Sequence, residues 1–291
     1  MRIANPIYDV VFKYMMEDLK VAKTFISAII GEEVLELKFC PQELTIKYKE
    51  DSRTVVRMDF LARIKTPDGK KAVIIEMQKA QTSFDVKRFR RYIGKQYASS
   101  DNIYKDKNKN EHARQIYCIF FLGDGVGVPN IPVLTITNLV KDRKTGKEID
   151  LHNEFIESLH HKSWIVQIPY LKKHRRDDLE KLLSIFDQSN IADSNYILKV
   201  NENDFPEQYR HIIRRLKQAA ENEEIEEQMI AEYEILGDFQ NLERRIEMKD
   251  EMLEKKDKTI EEKSKLIEEK DRRLEEKDRL IEDLLRQINQ K

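Results

Sequence analysis

Two carboxylates and an amide stand in adjoining strand-like segments, where they could share one divalent cation. Asp59 lies in one segment of alternating polar and apolar residues, and Glu76 and Gln78 lie in the next. A Pro-Asp-Gly triplet at 67–69 separates the two segments and has the composition of a tight turn. Two acids on adjacent antiparallel strands can converge on a metal ion that binds phosphate and lowers the pKa of an attacking water. This spacing predicts metal-dependent hydrolysis of phosphodiesters.

The register of the predicted hairpin decides whether the two acids meet. A two-residue loop at Pro67 and Asp68 pairs Asp59 with Glu76 on one face, whereas a three-residue loop puts them on opposite faces. The Pro-Asp-Gly triplet favours the three-residue loop, but a shared metal ion requires the other. Glu76 stands in an apolar run, where a carboxylate needs a partner. Taken alone, Asp59 also suits an ordinary strand acid paired with a nearby arginine.

A basic segment follows the second predicted strand. From residue 79 to residue 114 there are ten Lys or Arg residues and four acids. A helix is predicted over 84–100, with one aromatic and apolar stripe and one basic stripe. A basic helix face beside a metal site suits a phosphate backbone, although an ordinary amphipathic helix with a solvated face shows the same pattern. The residues predicted to contact DNA are Lys79, Lys87, Arg88, Arg91 and Lys95.

The chain divides into a mixed α/β part and a helical part. It has 291 residues, 37% of them charged, and a net charge of -1, so no global basic field attracts nucleic acid. We expect an α/β domain over 1–190, a helical connector over 191–242 and a charged heptad-repeat helix over 243–291. In the first part, Asp18 is expected to cap a helix that Gly31 ends. The predicted strands are 34–39, 43–49, 54–65, 71–78, 115–122, 133–139 and 164–168, and a further helix is predicted over 175–186.

The C-terminal segment repeats every seven residues. Each copy ends in one apolar residue, at 253, 260, 267, 274, 281 and 288. The pattern is a poor coiled-coil heptad, because the second core position would hold mostly Asp or mostly Lys. Favourable Glu–Lys and Glu–Arg pairs four residues apart could instead hold a single solvated helix. Weak self-association and an isolated charged helix therefore both stay open.

Three motifs resemble one nuclease family. They are Asp9-Val10-Val11-Phe12-Lys13, Met58-Asp59-Phe60 and Ile75-Glu76-Met77-Gln78. Together they resemble the PD-(D/E)XK nuclease superfamily and, more narrowly, its Rpn-type bacterial family of recombination-promoting nucleases and transposases. The resemblance covers roughly residues 1–190. It implies a restriction-endonuclease-like mixed β-sheet core flanked by helices.

The resemblance also implies roles for individual residues. Asp59 and Glu76 would bind Mg²⁺ or Mn²⁺, together with the Met77 backbone carbonyl, and Asp9 would contribute directly or through a water. Gln78 would take the place of the lysine that orients the attacking water in the parent superfamily. A glutamine can orient a water by hydrogen bonding, but it carries no charge to stabilise the phosphate.

Other kinds of site find little support in the sequence. Cys40 and Cys118 are far apart and lack metal-type spacing, and the glycine-rich stretch 123–127 is expected to be a loop because no P-loop lysine follows it. The adjacent histidines at 160 and 161 suit a surface pair better than a ligand set. No apolar run approaches the roughly 18 residues of a membrane span, and the N-terminus has no apolar signal core, so we expect a cytoplasmic protein.

Two functions are therefore expected from the sequence. The first is a metal-dependent DNA endonuclease that acts in recombination, mobile-element movement or defence. The alternative is a catalytically weak or inactive nuclease-fold protein that binds DNA and acts as a scaffold. In both cases the C-terminal helix is the element expected to form a homo-oligomer.

Overall fold

The computed structural model describes residues 1–40, 59–78, 83–151, 153–172, 175–192 and 194–288. At several positions within these ranges, Asp59 and Gln78 among them, it describes the backbone alone. The predicted strand at 43–49 and the predicted DNA contact Lys79 lie outside the described residues.

Strands and helices alternate through the first 200 residues, and helices dominate the rest, which confirms the mixed α/β class. The strands are β1 (Arg2–Ala4), β2 (Glu36–Cys40), β3 (Asp59–Thr66), β4 (Gly69–Gln78), β5 (Ile103–Lys105), β6 (Glu111–Ala113), β7 (Gln115–Leu122), β8 (Val133–Ile136), β9 (His161–Gln167) and β10 (Ile197–Lys199). The helices are α1 (Asp9–Glu17), α2 (Leu19–Ile30), α3 (Ser83–Ala98), α4 (Glu154–Ser158), α5 (Asp178–Leu183), α6 (Arg210–Ala220) and α7 (Glu223–Ile288).

Local signals set the bounds of α2 as the sequence predicts. The Asp18 side chain accepts hydrogen bonds from the backbone N–H groups of Lys20 at 2.9 Å and Val21 at 3.1 Å. These bonds satisfy donors that have no partner inside the helix. Gly31 ends α2 with a φ of 73°, a left-handed conformation that glycine adopts without strain.

In the described part of the chain, the central sheet has six strands in the order β2-β3-β4-β7-β9-β8. Strands β2, β3 and β4 are antiparallel neighbours, β4, β7 and β9 run parallel, and β8 adds an antiparallel edge. Because β4 and β7 are parallel, their carboxyl ends lie at the same edge of the sheet, and Gln78 is in register with Leu122 there.

The turn between β3 and β4 contains two residues. Thr66 pairs with Gly69, so the loop consists of Pro67 and Asp68, and Asp59 pairs with Glu76. The three-residue loop that Pro-Asp-Gly favours is therefore wrong. The composition favours the longer loop because proline at the first loop position restricts φ to about −65°. Two-residue hairpin loops usually need a positive φ there, since turn types with a negative φ splay the strands. Gly69 has a φ of 127°, which glycine tolerates, and this lets the chain enter β4 directly after Asp68.

The sheet has two differently covered faces. The core face carries Phe60, Ile75 and Phe121, as the alternation of side chains along paired strands requires. Helices α1 and α2 pack on this face. The Phe12 ring of α1 lies 6.1 Å from Phe60 and 6.3 Å from Phe121, and Phe25 of α2 stacks on Phe121 at 6.1 Å between ring centroids.

The site face carries the positions of Asp59, Glu76 and Gln78. Helix α3 covers part of it, as the predicted aromatic and apolar stripe requires. A buried apolar cluster fills the space between α3 and the sheet. Its residues are Leu61, Ala72, Ile74, Ile93, Ile116 and Cys118, with Cys40, Phe89 and Phe120 packed against them. Two residues of this cluster are neighbours of Glu76: Ile74 on the same strand and Phe120 on β7.

A buried ion pair on the core face ties β4 to the segment after α2. The Lys71 ammonium, 3% exposed, pairs with the Glu32 carboxylate and lies 4.6 Å from the centre of the Tyr117 ring. The Tyr117 hydroxyl donates to Glu32 at 2.8 Å. Burial opposes ionisation of Glu32, but the hydrogen bonds from Lys71 and Tyr117 outweigh it and lower the pKa of Glu32.

The first compact unit extends from Met1 to Glu232, past the predicted boundary at residue 190. The reason is that β10 pairs with β1 and α6 buries Ile212, Ile213 and Leu216. The second unit, Tyr233–Lys291, contains the rest of α7. Among the residues with described structure, no helix is both long enough and apolar enough to cross a membrane.

We expect Glu32→Gln to lower the free energy of unfolding at neutral pH. The variant keeps the shape but loses a charged partner of Lys71, a loss of about 1–3 kcal/mol. Because folding lowers the pKa of Glu32 below 4.5, this stabilisation is present above pH 4.5 and is lost as the pH falls further. Denaturant unfolding from pH about 7 to about 3 should show the two proteins converging at the acid end. The exposed neighbour Glu33 supplies the control, since Glu33→Gln should leave stability unchanged at every pH.

Candidate functional site

The register of β3 and β4 brings together the two acids that the sequence singles out. Asp59 and Glu76 are directly paired positions on neighbouring antiparallel strands and therefore share the site face. The Cβ atoms of such a pair lie about 4.5–5.5 Å apart, a separation that two carboxylates can bridge through one cation. The register required for a shared metal ion is thus present.

Glu76 is buried next to apolar residues on its own strand and on β7. Its side chain is 3% exposed, Ile74 precedes it on the same face, and Phe120 is its register partner on β7. The Phe120 ring in turn contacts Phe89 of α3, with 4.2 Å between ring centroids. Keeping a carboxylate charged in such surroundings costs free energy unless a cation or hydrogen-bond donors compensate. Glu76 therefore lies where the apolar cluster under α3 gives way to the edge of the sheet.

Gln78 is the last residue of β4, and its position shares the site face with Glu76 because it is two residues further along the strand. Met77 has its side chain on the core face, where it is 8% exposed, so only its backbone can contribute to the site. Ligation by the Met77 carbonyl stays a prediction. Glu76, Met77 and Gln78 form the carboxyl end of β4, a strand in the interior of the sheet.

A loop at the same edge is held by a residue that the sequence analysis missed. Gln167, fully buried at the end of β9, accepts a hydrogen bond from the Val126 N–H at 2.8 Å. Its amide donates to the carbonyls of Ile131 at 2.6 Å and Val128 at 3.1 Å. These bonds fix the glycine-rich stretch 123–127, which is a loop as predicted. The available signal was an amide directly after the apolar residues Trp164, Ile165 and Val166 of β9.

Position 125 of this loop has no room for a side chain. A Cβ atom there would lie 2.9 Å from the Tyr170 hydroxyl oxygen, closer than side chains tolerate. The loop is therefore held by hydrogen bonds to Gln167 and lies against Tyr170.

Four residues separate the end of β4 from the start of α3, so the first turn of α3 lies near the carboxyl end of β4. Phe89 and Ile93 face the sheet. At 3.6 residues per turn, the positions of Lys87, Arg88, Arg91 and Lys95 fall within about 100° of one another on the side away from the sheet. Lys95 is exposed. These four positions thus lie on the side of α3 opposite Phe89 and Ile93, and their contact with DNA stays a prediction.

Asp9 lies at the start of α1, which packs on the core face rather than the site face. Its backbone N–H donates to both carboxylate oxygens of Glu232, at 3.0 and 2.8 Å. This bond links the beginning of α1 to α7 within the first compact unit. A role for the Asp9 side chain in a metal site stays a prediction.

The donor set fits a hard divalent cation. Two carboxylates on one face, one of them buried, supply the oxygen ligands that Mg²⁺ and Mn²⁺ prefer. Within the described residues there is no group of three His, Cys, Asp or Glu side chains that could hold a metal, so water or phosphate oxygens would complete the coordination shell. Burial raises the pKa of the Cys118 thiol to about 12, so the thiolate that binds metals is disfavoured at this residue.

Comparison of the chain with protein-family models, with curated proteins and with solved structures finds no match. The resemblance to PD-(D/E)XK nucleases therefore depends on the three motifs and on the register that joins two of them.

Divalent cation binding should depend on both acids. In isothermal titration of the full chain with Mn²⁺, we expect one site whose affinity falls at least about tenfold in Asp59→Asn and in Glu76→Gln, since each change removes a charged ligand. Glu36→Gln is a matched control, because Glu36 is an exposed acid on the edge strand β2. Equal Mn²⁺ affinity in all four proteins would contradict the site.

Proposed function

We propose that this protein is a metal-dependent DNA endonuclease that hydrolyses phosphodiester bonds. The observation that carries the proposal is the pairing of Asp59 with Glu76, with Gln78 next along the same face. Nuclease chemistry needs a cation held by carboxylates at a sheet edge that a phosphate can reach. The paired positions of Asp59 and Glu76 near the carboxyl end of β4 support this proposal.

Each residue has a distinct part in the proposed reaction. The carboxylates of Asp59 and Glu76 would hold Mg²⁺, which when bound lowers the pKa of an attacking water and offsets the phosphate charge. The Gln78 amide would orient that water by hydrogen bonding. The apolar cluster beneath α3 would keep bulk water from the buried side of Glu76, which strengthens electrostatic interactions in the site. The basic positions of α3 would contact backbone phosphates and so position the duplex.

Gln78 favours a second candidate function. It is uncharged where the superfamily that the motifs resemble has a lysine, so less transition-state charge is compensated. The same fold would then act mainly as a DNA-binding scaffold. In that case DNA binding would weaken with salt but would not depend on divalent cations or on the two acids.

Cleavage of supercoiled plasmid by the purified full chain separates the two functions. We expect nicking or cutting with Mg²⁺ or Mn²⁺ and none with a chelator. Asp59→Asn and Glu76→Gln should each reduce the rate roughly 100-fold or more, as the loss of a group that stabilises transition-state charge does. Glu36→Gln should cleave like the parent protein. Undiminished cleavage in both acid variants would refute the proposal, and salt-sensitive binding without cleavage would establish the scaffold.

Replacing Gln78 with lysine tests its part separately. The ammonium group would add a positive charge beside the phosphate, so Gln78→Lys should cleave faster than the parent chain at saturating Mg²⁺. Gln78→Leu, of similar size but unable to hydrogen-bond, should cleave more slowly. Equal rates in the three proteins would remove Gln78 from the mechanism.

A further inference from the structure

The second unit exposes a regular column of apolar side chains. In α7 the column consists of Leu253, Ile260, Ile267 and Leu274, which are 56%, 61%, 58% and 57% exposed. A spacing of seven residues keeps them on one stripe of the helix. A solvated helix gains nothing from such a column, whereas a second helix packed on it would remove four large apolar side chains from water.

Charged columns of opposite sign flank this apolar column. Glutamate follows each apolar residue directly, at 254, 261, 268 and 275, and lysine stands three residues after it, at 256, 263, 270 and 277. If the apolar column takes heptad position d, the glutamates take position e and the lysines take position g. These are the two positions that border the seam of a coiled coil and determine orientation.

We propose that α7 pairs with α7 of a second copy of this chain as a parallel, in-register coiled coil. In a parallel pair, each g residue faces the e residue five positions later in the other helix. Lys256, Lys263 and Lys270 of one copy then face Glu261, Glu268 and Glu275 of the second copy. An antiparallel pair would place lysine against lysine and glutamate against glutamate. The charge pattern therefore favours a second copy of α7 as the helix that packs on the apolar column, and it favours the parallel orientation.

Position a explains why the seam is weak. It holds Asp257, Ser264 and Asp271, so in a parallel pair each Asp faces the same residue of the second copy. Like charges at this position oppose pairing, and the adjacent g lysines offset them in part. Within one helix, Glu261 already pairs with Lys265 at 2.7 Å, but both side chains are exposed and such pairs contribute little. The proposal is thus a concentration-dependent dimer, and it does not rest on nuclease activity.

Reversal of the charges that border the seam tests the pairing in the full chain. In sedimentation equilibrium at about 100 µM, the parent should show twice the 34.7 kDa monomer mass. Replacing the lysines at 256, 263, 270 and 277 with Glu should give a monomer. Replacing the glutamates at 261, 268, 275 and 282 with Lys should do the same, and a 1:1 mixture of the two variants should restore the dimer.

The outer face of the helix supplies the control. Replacing Lys255, Lys258, Lys265 and Arg272 with Glu changes the net charge equally but leaves the seam intact, so this variant should stay dimeric. Circular dichroism reports whether each variant keeps its helix. A monomeric parent chain would overturn the proposal, as would an outer-face variant that dissociates as fully as the seam variant.

Cysteine cross-linking tests the direction. In a Cys40→Ser background, Asp257→Cys at position a should form an intermolecular disulfide on mild oxidation, because residue 257 meets its own copy only in a parallel pair. Lys258→Cys, one residue further and outside the seam, should cross-link at least about tenfold less. A dimer in which Asp257→Cys cross-links no better than Lys258→Cys would overturn the parallel arrangement.

Asp257→Leu combined with Asp271→Leu should lower the dissociation constant of the dimer at least about tenfold, and an unchanged constant would contradict the assignment of position a.

Discussion

The pairing register of β3 with β4 is the constraint on which the rest of the site depends. A shift of one residue would exchange the faces of the sheet for every side chain of one strand. Asp59 would then leave the face of Glu76, and Phe60 would leave the aromatic cluster around Phe12. The same register therefore completes the core on one face and brings the two acids together on the other. This register extends over eight paired positions and is accompanied by a two-residue turn and a positive φ at Gly69.

The two faces of the sheet divide the work between stability and chemistry. On the core face, aromatic rings from α1 and α2 pack on β3 and β7, and the Lys71–Glu32 pair anchors β4. On the site face, α3 covers the middle of the sheet and leaves Glu76 at the boundary of the covered region. The Glu76 carboxylate is 3% exposed beside apolar neighbours and lies two residues before the carboxyl end of β4. That position is suited to holding a cation.

Capping residues and apolar periodicity within short segments predict several element bounds, whereas contacts between distant residues leave no such signal in the sequence. The Asp18 cap, the Gly31 end and the bounds of β7 follow from local propensity and apolar periodicity. The end of the first unit could not be predicted, because β1 and β10 have three residues each and pair across almost 200 positions. The composition of the turn leaves the hairpin register open and favours the three-residue loop, whereas pairing along the full length of β3 and β4 gives the two-residue loop. Gln167 was missed because its partners are backbone groups of a distant loop.

The central claim is that Asp59 and Glu76 share one divalent cation. A crystal of the full chain soaked in Mn²⁺ and measured at the manganese absorption edge tests it most directly. The account predicts one anomalous peak on the site face, roughly 2.0–2.3 Å from an oxygen of each carboxylate, with water or phosphate oxygens completing the shell. A map without a peak between these two carboxylates, or with manganese bound only elsewhere, would contradict it.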